Sequence, residues 1–274
     1  MKKKKLSRIS TLHYYKLVAR SLLFLAATAV YLVNWFQGIH IDLFGRVEEL
    51  PLLMAVIWVA YALEMVLRFF PSRLESMGCQ KQFARNFRPR AEVKQRVNLN
   101  SAKTTFMVAA SWVGLNGVIG ILFFTHVIDE GILLLVSLFY GACDMICILF
   151  FCPFQTWMMK NKCCGTCRIY NWDYAMMFTP LVFIRSGYTF SLVLLSVLLL
   201  IRWELTVWLH PERFSEAVND SLSCANCSEK LCHHKKQLRH FWKKSGQRFH
   251  LAGNQLISTA EEVKNKLQQK IEKK

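Results

Sequence analysis

Apolar residues along this chain gather in long blocks, without the two-residue or 3.6-residue alternation of half-buried strands and helices. Ser21 to Phe36, Pro51 to Phe70, Thr105 to Phe124 and Gly131 to Phe151 each read as one membrane helix, close to the ~30 Å apolar thickness of a bilayer. The following block, Tyr174 to Leu209, has 36 residues, about 54 Å as a single helix. That is too long for one comfortable span and tight for two. The expected division is a short or re-entrant segment over 174–186, a turn at Arg185-Ser186-Gly187, and a last helix over 189–209. A single helix kinked at Pro180 is the other possibility, and it would leave the tail outside. The expected fold is therefore an all-α polytopic integral membrane helix bundle with about six membrane segments and a short cytoplasmic Cys-rich tail.

Charge orients these blocks. Residues 1–20 carry seven Lys/Arg and no acid, and residues 71–104 carry eight Lys/Arg against two acids. The connections 37–50 and 125–131 are short and acidic. By the positive-inside rule the amino terminus and the long 71–104 loop are cytoplasmic, and so is the basic tail 210–274. Three parts follow: a basic cytoplasmic segment 1–20, a transmembrane helical domain 21–209, and a cytoplasmic tail 210–274. MKKKK resembles the start of a signal peptide, but no small-residue cleavage pattern follows the first apolar block, so that block is expected to be retained as a helix of the cell membrane, an inner membrane. The net charge of +17 then points to anionic lipid headgroups, and no nucleic-acid-binding motif accompanies it. Leu256, Ala260, Val263, Leu267 and Ile271 recur at helical spacing, an amphipathic helix suited to the inner leaflet or to a protein partner.

Cysteines supply the candidate chemistry. Ten are present, and seven fall in two short blocks, Cys152 to Cys167 and Cys224 to Cys232. Each block holds a C-x2-C pair, Cys164/Cys167 and Cys224/Cys227, whose thiolates can occupy one edge of a metal tetrahedron. With both blocks cytoplasmic, these four form one metal site, with Cys163, Cys232 and His233 as alternates, and His234 beside them. Four thiolates serve zinc and iron-sulfur equally, so the cofactor is left open between them.

Within the membrane, Asp144 sits near the middle of its helix, a position where a carboxylate is costly and marks a candidate catalytic group. The plainer expectation is an ion pair with Arg185 or Arg202. Glu64 precedes Arg68 by four residues and is expected to pair with it. Cys143 and Cys147 share a helix face and read as small packing residues. Gly114, Gly117 and Gly120 read as a face for close helix approach. No phosphate loop, nucleophile elbow or zinc-protease motif is present, so hydrolytic chemistry has no support.

The leading expectation is a structural or regulatory membrane-anchored metal-site protein, joining the loop after the fourth helix to the tail. A second class is an electron carrier exchanging electrons with quinone through an iron-sulfur cluster. A third is a small ion or solute transporter resting on Asp144, Glu64 and Asn116.

Overall fold

The computed structural model describes residues 8–37, 51–71, 80–90, 102–159, 167–223 and 225–226. These are helical throughout, with no strand among the described residues and a single isolated bridge between Pro89 and Asn219. The helices are α1 (Arg8–Gln37), α2 (Pro51–Leu67), α3 (Ala102–Phe124), α4 (Glu130–Leu149), α5 (Asp173–Phe178) and α6 (Gly187–Leu209). Over Thr11–Gln37, Ala102–Phe124, Glu130–Leu149 and Gly187–Leu209 they are long and apolar enough to cross a membrane, and Met54–Leu67 is a shorter apolar helix. Their large apolar side chains are exposed in quantity, among them Leu25 on α1, Val113 and Ile121 on α3 and Phe190 on α6. Such surface is unfavourable in water and at home in lipid.

α1 differs from the expectation at its start. The apolar run begins at Ser21, but the helix begins at Arg8, so Arg20 lies well inside it. α1 and α4 run antiparallel in close contact along their length. Tyr14 meets Phe150 edge-on at 6.1 Å, Phe24 meets Phe139 at 5.8 Å, and the Tyr31 hydroxyl donates to Asp129 Oδ2 at 2.9 Å. Asp129 Oδ1 also accepts from Ile132 N at 2.8 Å, capping the first turn of α4. α2 and α6 run parallel, since Trp58 donates to Ser191 at 2.7 Å and the Arg202 guanidinium donates to the Phe69 carbonyl.

Between α4 and α6 the chain turns through α5 and then a 3-10 stretch, Thr179–Phe183. It begins beside Arg68 and ends with Phe183 against Phe123 and Phe124 at the far end of α3. Of the three glycines on α3, only Gly120 serves a close approach: a Cβ there would stand 2.6 Å from Phe183 Cζ, whereas Gly114 and Gly117 have nothing within 4 Å. The approach is made by one ring of the 3-10 stretch.

One end of the bundle is closed by two polar segments. After α6, the 3-10 turns Pro211–Phe214 and Asp220–Leu222 fold back onto residues 80–90. Asn219 is the hub and is fully buried. Its amide donates to Lys81 O at 3.1 Å and to Arg213 O at 2.8 Å, and its oxygen accepts from Ser221 N at 3.1 Å and Arg88 N at 3.4 Å. Arg90 N→Val218 O at 2.9 Å and Asp220 N→Arg88 O at 2.8 Å complete the pairing. Asn171 donates to the buried Gln82 at 2.7 Å, and Phe83 packs edge-on to Trp203 at 5.2 Å, which seats the cap on the bundle. Replacing Asn219 with Ala leaves two carbonyls and two amides of this cap without their shared partner, a loss of about 1–3 kcal/mol. Limited proteolysis in detergent should then cut within 80–90 and 211–223 faster than in the parent protein, while cleavage at the 125–129 connection is unchanged.

Candidate functional site

Toward the end of the bundle at which α2 and α4 finish, four elements meet at a guanidinium. Arg20 is buried, and its Nη2 donates to Glu64 Oε2 at 2.5 Å while its Nη1 donates to Asp144 Oδ2 at 3.0 Å. Nη1 also reaches the Gly141 carbonyl at 3.1 Å, and Nη2 the Tyr174 hydroxyl at 3.3 Å. That hydroxyl in turn donates to Glu64 Oε2 at 2.9 Å, and Lys16 Nζ stands 3.5 Å from Glu64 Oε1. Two cations and two carboxylates balance. The Tyr61 and Tyr174 rings flank the guanidinium at 5.3 and 5.7 Å from their centroids.

Sequence places these groups as the site needs them. Lys16 and Arg20 are one turn apart on α1, so both reach Glu64 on α2. Gly141 precedes Asp144 by three residues on α4, which sets its carbonyl beside the carboxylate. A side chain at Gly141 would put a Cβ 2.5 Å from the Tyr61 hydroxyl, so only glycine lets that ring lie under Arg20.

The expected pairings are thereby corrected. Glu64 pairs with Arg20 and Lys16, because α2 ends at Leu67 and Arg68 turns away to Asp173. Arg68 grips Asp173 with both nitrogens, at 2.7 and 2.6 Å, and lies over the Tyr174 ring at 4.6 Å. Asp144 pairs with Arg20, whereas Arg185 is exposed and Arg202 is turned to Phe69 O amid the Phe69, Phe83 and Trp203 rings. Asn116, on α3, is buried and donates to Trp112 O one turn back at 3.0 Å.

Beside the network lies a mostly apolar cavity of about 280 Å³. Trp112, Phe139, Tyr140 and Met176 contribute walls, and Asp144 and Asp173 touch it from the side held by Arg20 and Arg68. Four cysteines line it: Cys143, Cys147, Cys152 and Cys167. None is in a disulfide. Cys167, one of the four expected metal ligands, is buried against Val108, Met159 and Ile169. Next to it Arg168 forms a double hydrogen bond with Glu204 of α6, one arm at 2.6 Å, and Trp172 Nε1 donates to the same carboxylate at 2.6 Å. Cys163, Cys164, Cys224, Cys227, Cys232 and His233, the lone Cys79 and the terminal amphipathic helix lie outside the described residues. Among the described residues no group of three or more His, Cys, Asp or Glu side chains is arranged around a metal.

Sequence reasoning missed Arg20, Lys16 and Tyr174. Arg20 was legible in one respect: a basic residue immediately before an apolar run, one turn after another lysine, falls inside the membrane helix once the helix is extended backwards. Replacing Arg20 with Met leaves Asp144 without its cation and Glu64 with Lys16 alone, at a cost of about 3–5 kcal/mol. The triple change Arg20→Met, Glu64→Gln, Asp144→Asn should recover most of that loss. Unfolding in mixed detergent micelles measures both, and a triple variant no more stable than Arg20→Met would show that the carboxylates are not what Arg20 neutralises.

Comparison with protein-family models, with curated proteins and with solved structures finds no match to this chain, so its function has to be argued from these residues themselves.

Proposed function

We propose that this is a six-segment protein of the cell membrane, with both termini in the cytoplasm, whose cytoplasmic face carries a structural or regulatory metal site. Cys164, Cys167, Cys224 and Cys227 are its ligands, and zinc or an iron-sulfur cluster is its occupant. The observation that carries this reading is the common origin of the two cysteine blocks. Arg168, adjacent to Cys167, is bonded to Glu204 on α6. The same helix continues into residues 211–223, whose last residue, Ser223, precedes Cys224. The described residues next to the two blocks, Arg168 and Ser223, thus belong to segments attached to the later half of α6, which supports a shared site.

The charge of the 80–90 segment supports a cytoplasmic reading of that end. Lys81, Arg85, Arg88 and Arg90 all belong to the capping segment 80–90, and no acid does. The fifth crossing is short. Six α-helical and five 3-10 residues rise about 19 Å. The extended residues 184–186 add about 10 Å more, which together approaches the ~30 Å of a bilayer core. The metal then holds the tail's basic segment and amphipathic helix against anionic lipid or a protein partner. Transport is less well supported, because Glu64 and Asp144 are both committed to Arg20.

Anaerobic purification of the full chain in detergent, followed by elemental analysis and an absorption spectrum, tests this. About one zinc per chain, or iron with acid-labile sulfide and visible colour, is expected. The Cys224→Ser variant should lose the metal and release the tail to protease. Wild-type protein containing neither metal would end the metal reading.

A further inference from the structure

The polar cap formed by residues 80–90 and 211–223 folds back alongside the end of α6. Phe83 and Phe214 both pack edge-on to Trp203, at 5.2 and 6.3 Å. Trp203 precedes Trp208 by five residues, about 7.5 Å along the helix. Trp208 and Leu209 are 79% and 60% exposed. On a membrane helix an exposed terminal tryptophan stands at the headgroup level. The two phenylalanines therefore anchor the cap deeper than that level. Phe83 also lies against the Arg202 guanidinium that holds the Phe69 carbonyl at the end of α2, next to the exposed Phe70. The polar residues of the cap thus stand among lipid headgroups.

Charge is distributed unevenly over this cap. Elsewhere in the bundle Arg20, Arg68 and Arg168 are each bonded to a carboxylate. Arg85 and Arg88 are exposed, and with the half-buried Lys81 and Arg213 they make no ion pair among the described residues. Of the three acids of the cap, Asp220 pairs with Arg90 at 3.5 Å and Glu212 meets the His210 ring at 3.2 Å, which leaves Glu216. The two exposed arginines are held on a fixed piece of backbone. Arg85 lies in the 3-10 turn Ala84–Asn86, and the Asn86 carbonyl accepts from Ser221 Oγ at 2.6 Å. The Arg88 carbonyl accepts from Asp220 N at 2.8 Å. A guanidinium suits a phosphate because its planar fork matches two oxygens at once.

We propose that the cap is a binding site for anionic phospholipid, with Arg85 and Arg88 gripping the headgroup phosphate and Lys81 and Arg213 adding charge beside them. The acyl chains remain in the bilayer against the exposed apolar ends of the helices. The proposal rests on the membrane reading of the bundle, and takes its leaflet from the cytoplasmic reading of this end. It uses no cysteine, so it stands or falls separately from the metal site, which elemental analysis of the same preparations tests.

The test titrates the full-length protein in neutral detergent micelles with phosphatidylglycerol labelled on an acyl chain, and with phosphatidylcholine carrying the same label, reading fluorescence anisotropy. Phosphatidylglycerol should bind at least about tenfold more tightly, and added salt should weaken it, because the charges are exposed. Arg85→Gln and Arg88→Gln should each weaken it about fivefold and leave phosphatidylcholine unchanged. Arg185→Gln, which removes an exposed arginine from the opposite end of the bundle, should have no effect. Glycerol 3-phosphate, which carries the same charged group without chains, should not displace the lipid at equal concentration. The proposal is overturned if the two lipids bind alike, if Arg185→Gln weakens phosphatidylglycerol as much as Arg85→Gln does, or if glycerol 3-phosphate competes mole for mole, which would make a soluble anion the ligand.

Discussion

A guanidinium inside a membrane bundle cannot escape its charge by losing a proton, so its partners must come to it. Arg20 imposes that condition here. Its partners come from α2, α4 and α5: Glu64, Asp144 with the Gly141 carbonyl, and Tyr174. Each partner fixes the height of its helix relative to α1. A slip of α4 by one turn, about 5.4 Å, would exchange Asp144 for Ile148 or Tyr140 and leave the guanidinium facing an apolar or aromatic group. Apolar packing between membrane helices discriminates poorly among registers, because lipid is as apolar as the side chains it competes with. The ion network supplies the discrimination that packing lacks.

The same device recurs nearer the capped end. Arg68 grips Asp173 at the start of α5, Arg168 grips Glu204, and Arg202 reaches a carbonyl at the end of α2 from within an aromatic cage. In the first two pairs the planar fork of arginine meets both oxygens of one carboxylate, a geometry lysine cannot reproduce. A share of the positive charge on this chain is therefore spent inside the fold, joining segments far apart in sequence.

The apolar blocks were legible because a bilayer demands some twenty consecutive apolar residues, a condition that composition alone reveals. The all-helical character followed. The block 174–209 breaks into α5, the 3-10 stretch Thr179–Phe183 and α6, where length suggested a short segment and a turn at Arg185-Ser186-Gly187; the helix already begins at Gly187. What sequence could not give were the pairings. Glu64 and Arg68 have helical spacing, but spacing implies contact only while the helix lasts, and α2 stops at Leu67. Three glycines at three-residue spacing drift by about 60° per step around a helix, so they cannot all face one neighbour, and Gly120 alone does. Arg20 was hidden by the charge rule itself, which treats every basic residue beside an apolar run as lying outside it.

The ion network and the cavity share a wall, and this links fold to chemistry. Asp144 touches the cavity while its Oδ2 is held by Arg20, and Asp173 does the same under Arg68. A carboxylate facing an apolar space without a cation would draw in water or take up a proton. With its arginine in place it can border that space as a paired ion. The cysteines are thus kept in an apolar setting by charges that lie behind it. Residues remote from the thiols, Arg20 and Arg68 above all, should be read as part of the site's construction, because the character of the cavity depends on their staying paired.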